Sequence, residues 1–412
     1  MKKIYDPIHG YMNIDNIAIK VIDNHYFKRL KNIKQLGTCY EVFPGASHNR
    51  FEHSIGVYHL SCKMLNNLIY SSGEKKFTEK QKQLIKIAAL SHDLGHGPFS
   101  HTFDEIVRKK NKSKYVEHEE RSGMLIEHIL QDSKFNNFKI TGYDIDFIKN
   151  IIHPKNNHND YVYQIVSNNL NGVDVDKMDY IQRDIYNIGL KYSYDYNRIL
   201  EDSKILSNNI CYSDKIKYQI FDMFYTRYRL HKEVYNHPVT KSIEYMIQDI
   251  LYDLDDHINF SNNIDNIKFS EYDDSILLKV WDIQDSSINN AKKLMKRIHS
   301  RDIYKYIGEV KHSKNINKKF INDFIEDEYI NSEDIIVQDM VLSFSNKKNN
   351  PIKNIYFYNK NNPDISYLLS KKNMTKILPE QFSERTLRLF SKNTNNDILK
   401  NIKKKFTKII NL

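Results

Sequence analysis

Cysteine is scarce. Three residues, Cys39, Cys62 and Cys211, are scattered over 412 positions. They form no CxxC pair and no zinc-ligand spacing, which argues against both a disulfide framework and a thiolate zinc site. They are expected as buried free thiols that pack as small apolar groups. Long apolar runs are lacking too. No stretch approaches the roughly 20 residues needed to cross a bilayer, and residues 84–90 are interrupted by Lys86. The opening Met1-Lys2-Lys3-Ile4-Tyr5-Asp6-Pro7 lacks the apolar run of a secretory signal. The expectation is a soluble cytoplasmic or nuclear protein with no membrane partner.

What is present is ordinary for a globular chain: 40% hydrophobic and 28% charged residues. The length suffices for one large or two moderate domains with a sizeable core. The net charge of +10 favours an anionic partner, whether nucleic acid, an anionic surface or a polyphosphate. Charge alone does not separate these from a lysine-rich solvated surface.

Apolar periodicity makes the first two thirds mainly helical. Helices are expected over residues 17–36, 51–70, 79–93, 118–130, 145–152, 173–185, 218–235 and 240–254. Gly95, Gly97 and Pro98 end the third. After Arg301 the character changes. Residues 303–310, 335–342 and 355–358 read as strands, followed by helices near 380–391 and 397–410. The fold class is mainly α: a helical core over 1–300 with a smaller C-terminal α+β lobe over 301–412.

The densest chemistry lies in Ser91-His92-Asp93-Leu94-Gly95-His96-Gly97-Pro98-Phe99-Ser100-His101, directly after an apolar helix. One His-Asp dipeptide among 17 histidines is close to chance. Four ionisable groups in so short a run, however, suit a metal site better than a core. The remaining ligands must come from elsewhere, and His53 and Asp176 each sit on another helix. Imidazole and carboxylate together suit iron, manganese, nickel or zinc, and four such ligands leave positions open for water and substrate. Asp176, Tyr180 and Asp184 fall at i, i+4 and i+8, hence on one helix face, with Lys177 at its edge. The competing reading is a charged solvated face, which would account for Asp179 and Arg183 equally well.

Long stretches of the chain resemble the SAM- and HD-domain dNTP triphosphohydrolase family of vertebrates. They include residues 6–10, 33–37, 42–54, 92–101, 171–177, 222–224 and 301–309, and the likeness spans nearly the whole chain, without the SAM domain. The resemblance implies that His53, His92, Asp93 and Asp176 bind a divalent metal. It implies that His96, His101 and His118 line the reaction centre. Arg50, Lys177 and Arg227 would hold the triphosphate with His231 nearby. Gln35, Tyr180 and Asp184 would contact the sugar, and Leu36 and Tyr235 would crowd the 2′ position. Asn236 stands where the family has Gln beside the base. The reaction expected is hydrolysis of a dNTP to deoxynucleoside and inorganic triphosphate, with Mg2+ accompanying the nucleotide. His101 is the candidate proton donor to the leaving oxygen and His118 its support, since imidazole titrates in the right range.

The resemblance also implies a homo-oligomer, a dimer or tetramer, activated by GTP and dNTPs bound between subunits, with the C-terminal lobe serving assembly and regulation. For a first nucleotide site Lys2, Asp23 and Arg301 match, while Lys28 stands for Gln and Lys31 for Arg. Lysine lacks the planar fork of arginine. For a second site Val42, Phe43, Arg198, Lys215, Lys305 and Lys360 match. Tyr5, Ser213, Gln219 and Pro238 depart from the family, which removes two cations. The alternatives are an HD-type phosphodiesterase or nuclease acting on nucleic acid, and a degenerate nucleotide-binding scaffold.

Overall fold

The computed structural model describes residues 1–73, 76–155, 160–313, 315–345, 350–369 and 381–411. The chain opens with an antiparallel hairpin, β1 (Lys2–Asp6) and β2 (Gly10–Ile14), in the register Lys2↔Ile14 to Asp6↔Gly10. The single helix expected over 17–36 is three pieces: α1 (Asn16–Ile22), α2 (His25–Lys28) and a 3-10 turn over Arg29–Asn32. The apolar period runs through the break, but the side chain of Asn24 accepts from Tyr26 N and starts a new helix there. Short polar side chains compete in this way for backbone groups. Residues 33–35 then run extended, with Arg50 N–H on Ile33 O and Gln35 N–H on His48 O, both at 3.0 Å.

The helical body follows. It comprises α3 (Arg50–Ser72), α4 (Glu79–Ser91), α5 (His101–Lys110), α6 (His118–Leu130), α7 (Gly142–Ile152) and α8 (Val175–Ile188). Their starts are chemically marked. Asn49 caps α3, Asp174 caps α8, and Thr78–Gln81 and Thr141–Asp144 form capping boxes on α4 and α7. Next come α9 (Tyr196–Glu201), β3 (Ser203–Leu206), β4 (Asn209–Ser213), α10 (Lys217–Leu230) and α11 (Pro238–Ile258). A π-helical turn, His231–Tyr235, joins the last two. Such wide turns are rare and recur at functional sites. After α12 (Lys279–Asp282) and α13 (Asn289–His299) come β5 (Lys305–Lys311), α14 (Lys318–Ile325), β6 (Ile335–Ser343), β7 (Tyr356–Asn359), β8 (Asn362–Leu368), β9 (Ser383–Ser391) and α15 (Asn396–Ile410).

The helix expected near 380–391 is therefore the strand β9; residue 380 lies outside the described residues. β9 is the middle strand of the sheet β5-β9-β6, antiparallel to both neighbours. Its second half, Leu387–Ser391, is buried on successive residues and shows no alternation of burial, and Arg388 sits inside it on Glu309 at 2.8 Å. The chain beyond Arg301 divides between two layers. β7 pairs in parallel with β4, and Ile352, Ile355 and Phe357 join the main helical core. A separate small core of Ile321, Ile325, Leu387, Leu389, Ile402 and Phe406 lies between the β5-β9-β6 sheet and α14 and α15. All three cysteines are free thiols; Cys39 and Cys211 are buried and Cys62 is half-buried. No described helix is long and apolar enough to cross a membrane.

Candidate active site

Three helices aim at one point. α3 carries His53 in its first turn, α4 ends with His92 as its C-cap and Asp93 next, and α8 presents Asp176 beside its Asp174 cap. His53 Nε2 lies 3.2 Å from His92 Nε2 and 3.1 Å from Asp176 Oδ1, and His92 Nε2 lies 3.4 Å from the same oxygen. Each imidazole has its other nitrogen occupied, His53 Nδ1 on Asp179 at 2.8 Å and His92 Nδ1 on the Ala89 carbonyl at 2.9 Å. Since a carboxylate and a carbonyl only accept, both Nδ1 atoms donate, and with both rings neutral the two Nε2 lone pairs face each other. That pairing is repulsive unless a cation lies between. Adjacent ligand atoms around an ion with bonds of roughly 2.1 Å sit roughly 3.0–3.4 Å apart, so these residues fit a divalent metal. Asp93 stands at the rim. Its Oδ1 is 3.4 Å from His92 Nε2, and its Oδ2, 3.6 Å from His53 Nε2, is also held by Arg50. Burial opposes charge on His53, but hydrogen bonds with Asp176 and Asp179 push its imidazole up to about 10. The pocket thus favours positive charge where an ion would sit.

A second group lies alongside. One ligand atom from each of His96, His101, Asp104 and His118 lies within 4.8 Å of the others. His96 stacks on His118 with ring centroids 3.8 Å apart and an interplanar angle of 22°. Nearly parallel rings point their in-plane lone pairs side by side instead of at a common point, so the group suits proton transfer better than metal ligation. Asp104 accepts from His118 Nδ1 at 3.2 Å, lies 3.6 Å from His101 Nδ1 and is gripped by the fully buried Arg121. Burial raises the Asp104 carboxyl, but Arg121 and the two histidines hold it well below the usual range. His96 is likewise pushed down, well below an ordinary imidazole and toward its neutral form, by burial, Arg50 and His118.

Both groups open on one cavity of about 500 Å³. Gln35 and Leu36 reach it from the turn that follows Ile33, Lys177, Tyr180 and Asp184 from α8, and Arg227 from α10. The π-helical turn supplies His231 and Tyr235, and Asn236 follows it. Arg50, His53, Asp93, His96, His101, His118 and Asp176 also line the cavity, with His92 behind His53. Arg227 Nε donates to the Tyr180 hydroxyl at 3.0 Å, and Lys177 pairs with Asp174 at 2.8 Å. Asp184 accepts from the Tyr235 hydroxyl and lies 2.7 Å from His48 Nε2. Burial, Arg227, His101 and Lys177 together hold His231 well below an ordinary imidazole. Gln35 Oε1 and Thr240 Oγ1 are buried without a hydrogen-bond partner among the described residues.

The competing reading of a solvated face does not hold for Asp179 and Arg183: both are fully buried, pairing at 2.9 Å. Sequence reasoning also missed Thr38, Glu105, Thr240, Lys241 and Glu244 in the cavity wall. None carries a motif: Glu105 comes from α5, Thr240, Lys241 and Glu244 from α11, and Thr38 from a 3-10 turn over Gly37–Glu41 that packs on α11. The residues expected at nucleotide sites between subunits do not line this cavity. Lys2, Asp23, Lys28, Lys31, Arg198, Lys215, Arg301 and Lys360 are exposed, and Val42, Phe43 and Lys305 are half-buried. Lys28 pairs with Asp23 at 3.3 Å and Arg301 with Glu41 at 2.9 Å.

The family comparison agrees with this layout. Residues 50–184 match the HD domain and residues 195–342 the HD associated region, so the chain carries an HD-domain hydrolase fold, with His53, His92 and Asp176 grouped as a metal could hold them. At 36% identity over 94% of this chain and 77% of the relative, it is similar to the deoxynucleoside triphosphate triphosphohydrolase SAMHD1 homolog of Dictyostelium discoideum. The Bos taurus deoxynucleoside triphosphate triphosphohydrolase SAMHD1 is 33% identical over 97% of this chain and 76% of its own length. An HD domain-containing protein of Acanthamoeba polyphaga mimivirus is 33% identical over 94% of this chain and 91% of its own. The chain belongs to the SAMHD1-like family of HD-domain proteins.

Proposed function

We propose that the chain hydrolyses deoxynucleoside triphosphates to deoxynucleoside and inorganic triphosphate. The observation that carries this reading is the shared cavity. Facing imidazoles with a carboxylate lie at one side of it, and Arg50, Lys177 and Arg227 with a tyrosine–aspartate pair line much of the remainder. The curated relatives in Dictyostelium and Bos taurus bear the name of that activity.

A divalent ion held by His53, His92, Asp93 and Asp176 would supply Lewis acidity toward water and a phosphate oxygen. The imidazole-rich set suits iron, manganese, nickel or zinc, and the phosphate oxygens of the nucleotide suit Mg2+. Arg50, Lys177 and Arg227 neutralise the triphosphate, and their fixed partners spare reorganisation as charge builds on it. His101 gives a proton from its cavity-facing ring to the departing 5′-oxygen, with Asp104 behind Nδ1 and His118 beside it. Gln35 offers its unpaired oxygen to a sugar hydroxyl. Tyr235, pinned by its bond to Asp184, and Leu36 leave little room for a 2′-hydroxyl. Around this core we further propose a homo-oligomer in the cytoplasm or nucleus, activated by GTP or dNTPs through the exposed cations named above. Residues 301–412 would serve assembly in this reading.

Product analysis by ion-exchange chromatography tests it, with each dNTP and rNTP, with and without GTP. Triphosphate released from dNTPs in preference to rNTPs is expected. Cleavage of single-stranded nucleic acid with no triphosphate from any dNTP would overturn the proposal in favour of the phosphodiesterase alternative.

A further inference from the structure

The carboxylate of Asp179 is saturated. Oδ1 accepts from His9 Nε2 at 2.6 Å and Arg183 Nη2 at 3.0 Å, and Oδ2 accepts from His53 Nδ1 at 2.8 Å and Arg183 Nε at 2.9 Å. These four donors fill the lone-pair sites of a carboxylate. Because the group is fully buried, any rotation would strand a polar atom away from water.

Two of the donating residues are anchored by the N-terminal hairpin. His9 sits in the β1–β2 turn, and its Nδ1 lies 3.2 Å from the Tyr196 hydroxyl. Since a carboxylate only accepts, Nε2–H of His9 donates to Asp179, and the Tyr196 hydroxyl holds the ring's other nitrogen. Arg183 extends its remaining nitrogen to Asp6, the last residue of β1, at 2.8 Å. Gly56 closes the arrangement from α3, nearly one turn after His53. A Cβ there would lie 1.9 Å from Asp179 Oδ1 and 2.5 Å from Arg183 Nη2, so the close approach depends on the missing side chain.

We propose that Asp179 is the positioning residue of the metal centre. Through it the β1–β2 hairpin sets the orientation of His53 and hence the affinity of the site for its ion. The inference rests on the reading of His53 as a metal ligand. Asp179 accepts the Nδ1–H of His53, which keeps the Nε2 atom turned toward His92 and Asp176. Among the described residues, none of the hairpin lines the cavity. Its influence on the ion therefore travels through His9, Asp6 and Arg183 and leaves the substrate pocket untouched.

The test is a Mn2+ titration of the purified full chain, followed by electron paramagnetic resonance, beside thermal melts of the metal-free proteins. Asp179→Asn is expected to weaken Mn2+ binding about 10- to 100-fold. His9→Ala and Gly56→Ala should weaken it by roughly threefold or more. His9→Gln, whose amide can still donate to Asp179, should stay within about twofold of the parent. If Asp179→Asn does not fold, the His9→Ala and His9→Gln pair decides. Lower melting temperatures with unchanged Mn2+ affinity would make these residues merely structural and overturn the inference alone. A parent protein that binds no Mn2+ would overturn the assignment of His53 as a ligand, and this inference with it.

Discussion

Replacing Gly95 by alanine should cost little stability and most of the activity. A Cβ at Gly95 would lie 2.2 Å from the His118 carbonyl oxygen and 2.4 Å from Ser122 N. Both are backbone atoms of α6, so no side chain can swing aside. The loop is also tied to that helix: Gly95 N–H donates to Ser122 Oγ, and Arg121 Nε donates to Gly95 O, both at 2.8 Å. Relief requires the start of α6 to retreat by roughly 1 Å, an overpacking that costs about 1–3 kcal/mol. For a chain of this length unfolding cooperatively, that is a melting-temperature loss of roughly 1–4 °C. His118 opens α6 and would move with it, away from His96 and His101. A displacement of roughly 1 Å in a reacting constellation costs on the order of 100-fold in rate. The metal ligands lie on α3, α4 and α8, so the loss should fall on kcat more than on Mn2+ affinity. Triphosphate release, a thermal melt and a Mn2+ titration on one preparation measure all three. A variant with parental kcat would refute the claim that His118 must touch its neighbours.

His92→Ala combined with Asp93→Ala should abolish hydrolysis and Mn2+ binding while circular dichroism keeps the helical signal; retained activity would remove the metal assignment. Tyr235→Gly should raise the rate on ribonucleotides relative to deoxyribonucleotides, and an unchanged ratio would dismiss Tyr235 as the gate. His231 gives a pH dependence of known sign. Burial, Arg227, His101 and Lys177 depress its folded pKa, so below about pH 6.5 the unfolded chain takes up a proton that the native state refuses. Stability therefore falls as pH drops through that window, by about 1.4 kcal/mol per pH unit for this one group. Urea unfolding of His231→Gln from pH 7.5 to 5.0 should show a shallower slope than the parent, and equal slopes would contradict the assignment.

Much of the helical body was legible because its signals are local. α6 begins and ends where periodicity placed it, over His118–Leu130, and α4 starts at its Thr78–Gln81 capping box. The failures share a cause in distant partners. The π-helical turn His231–Tyr235 widens a helix whose apolar spacing continues undisturbed. β9 reads as a helix until β5 and β6 flank it, because its second half, buried on both faces, loses the period of two. The β3–β4 hairpin is only a few residues long, and its β4 edge is completed by β7, far along the chain.

In the site, ligand chemistry was legible and its support was not. An acid and a base four apart on a helix, Asp179 and Arg183, look the same in sequence whether solvated or buried; only Gly56, Asp6 and His9 decide it. The backbone before His101 is subtler still. Phe99 and Ser100 both adopt positive φ, 56° and 58°, a conformation that costs about 1–2 kcal/mol for residues other than glycine. Nothing in a Phe-Ser pair announces it. The turn is held from outside: Phe99 N–H donates to Asp274 at 2.7 Å and Ser100 Oγ accepts from Arg50 Nε at 2.8 Å. Its effect is to start α5 at His101 with that side chain 73% exposed beside the otherwise buried His96. The strain falls where an exposed imidazole must stand at the mouth of a closed charge cluster, and it persists only while Arg50 also grips Asp93. Proton donor and metal rim are thereby locked to one guanidinium, so Arg50→Lys, which loses the fork, should disturb both at once.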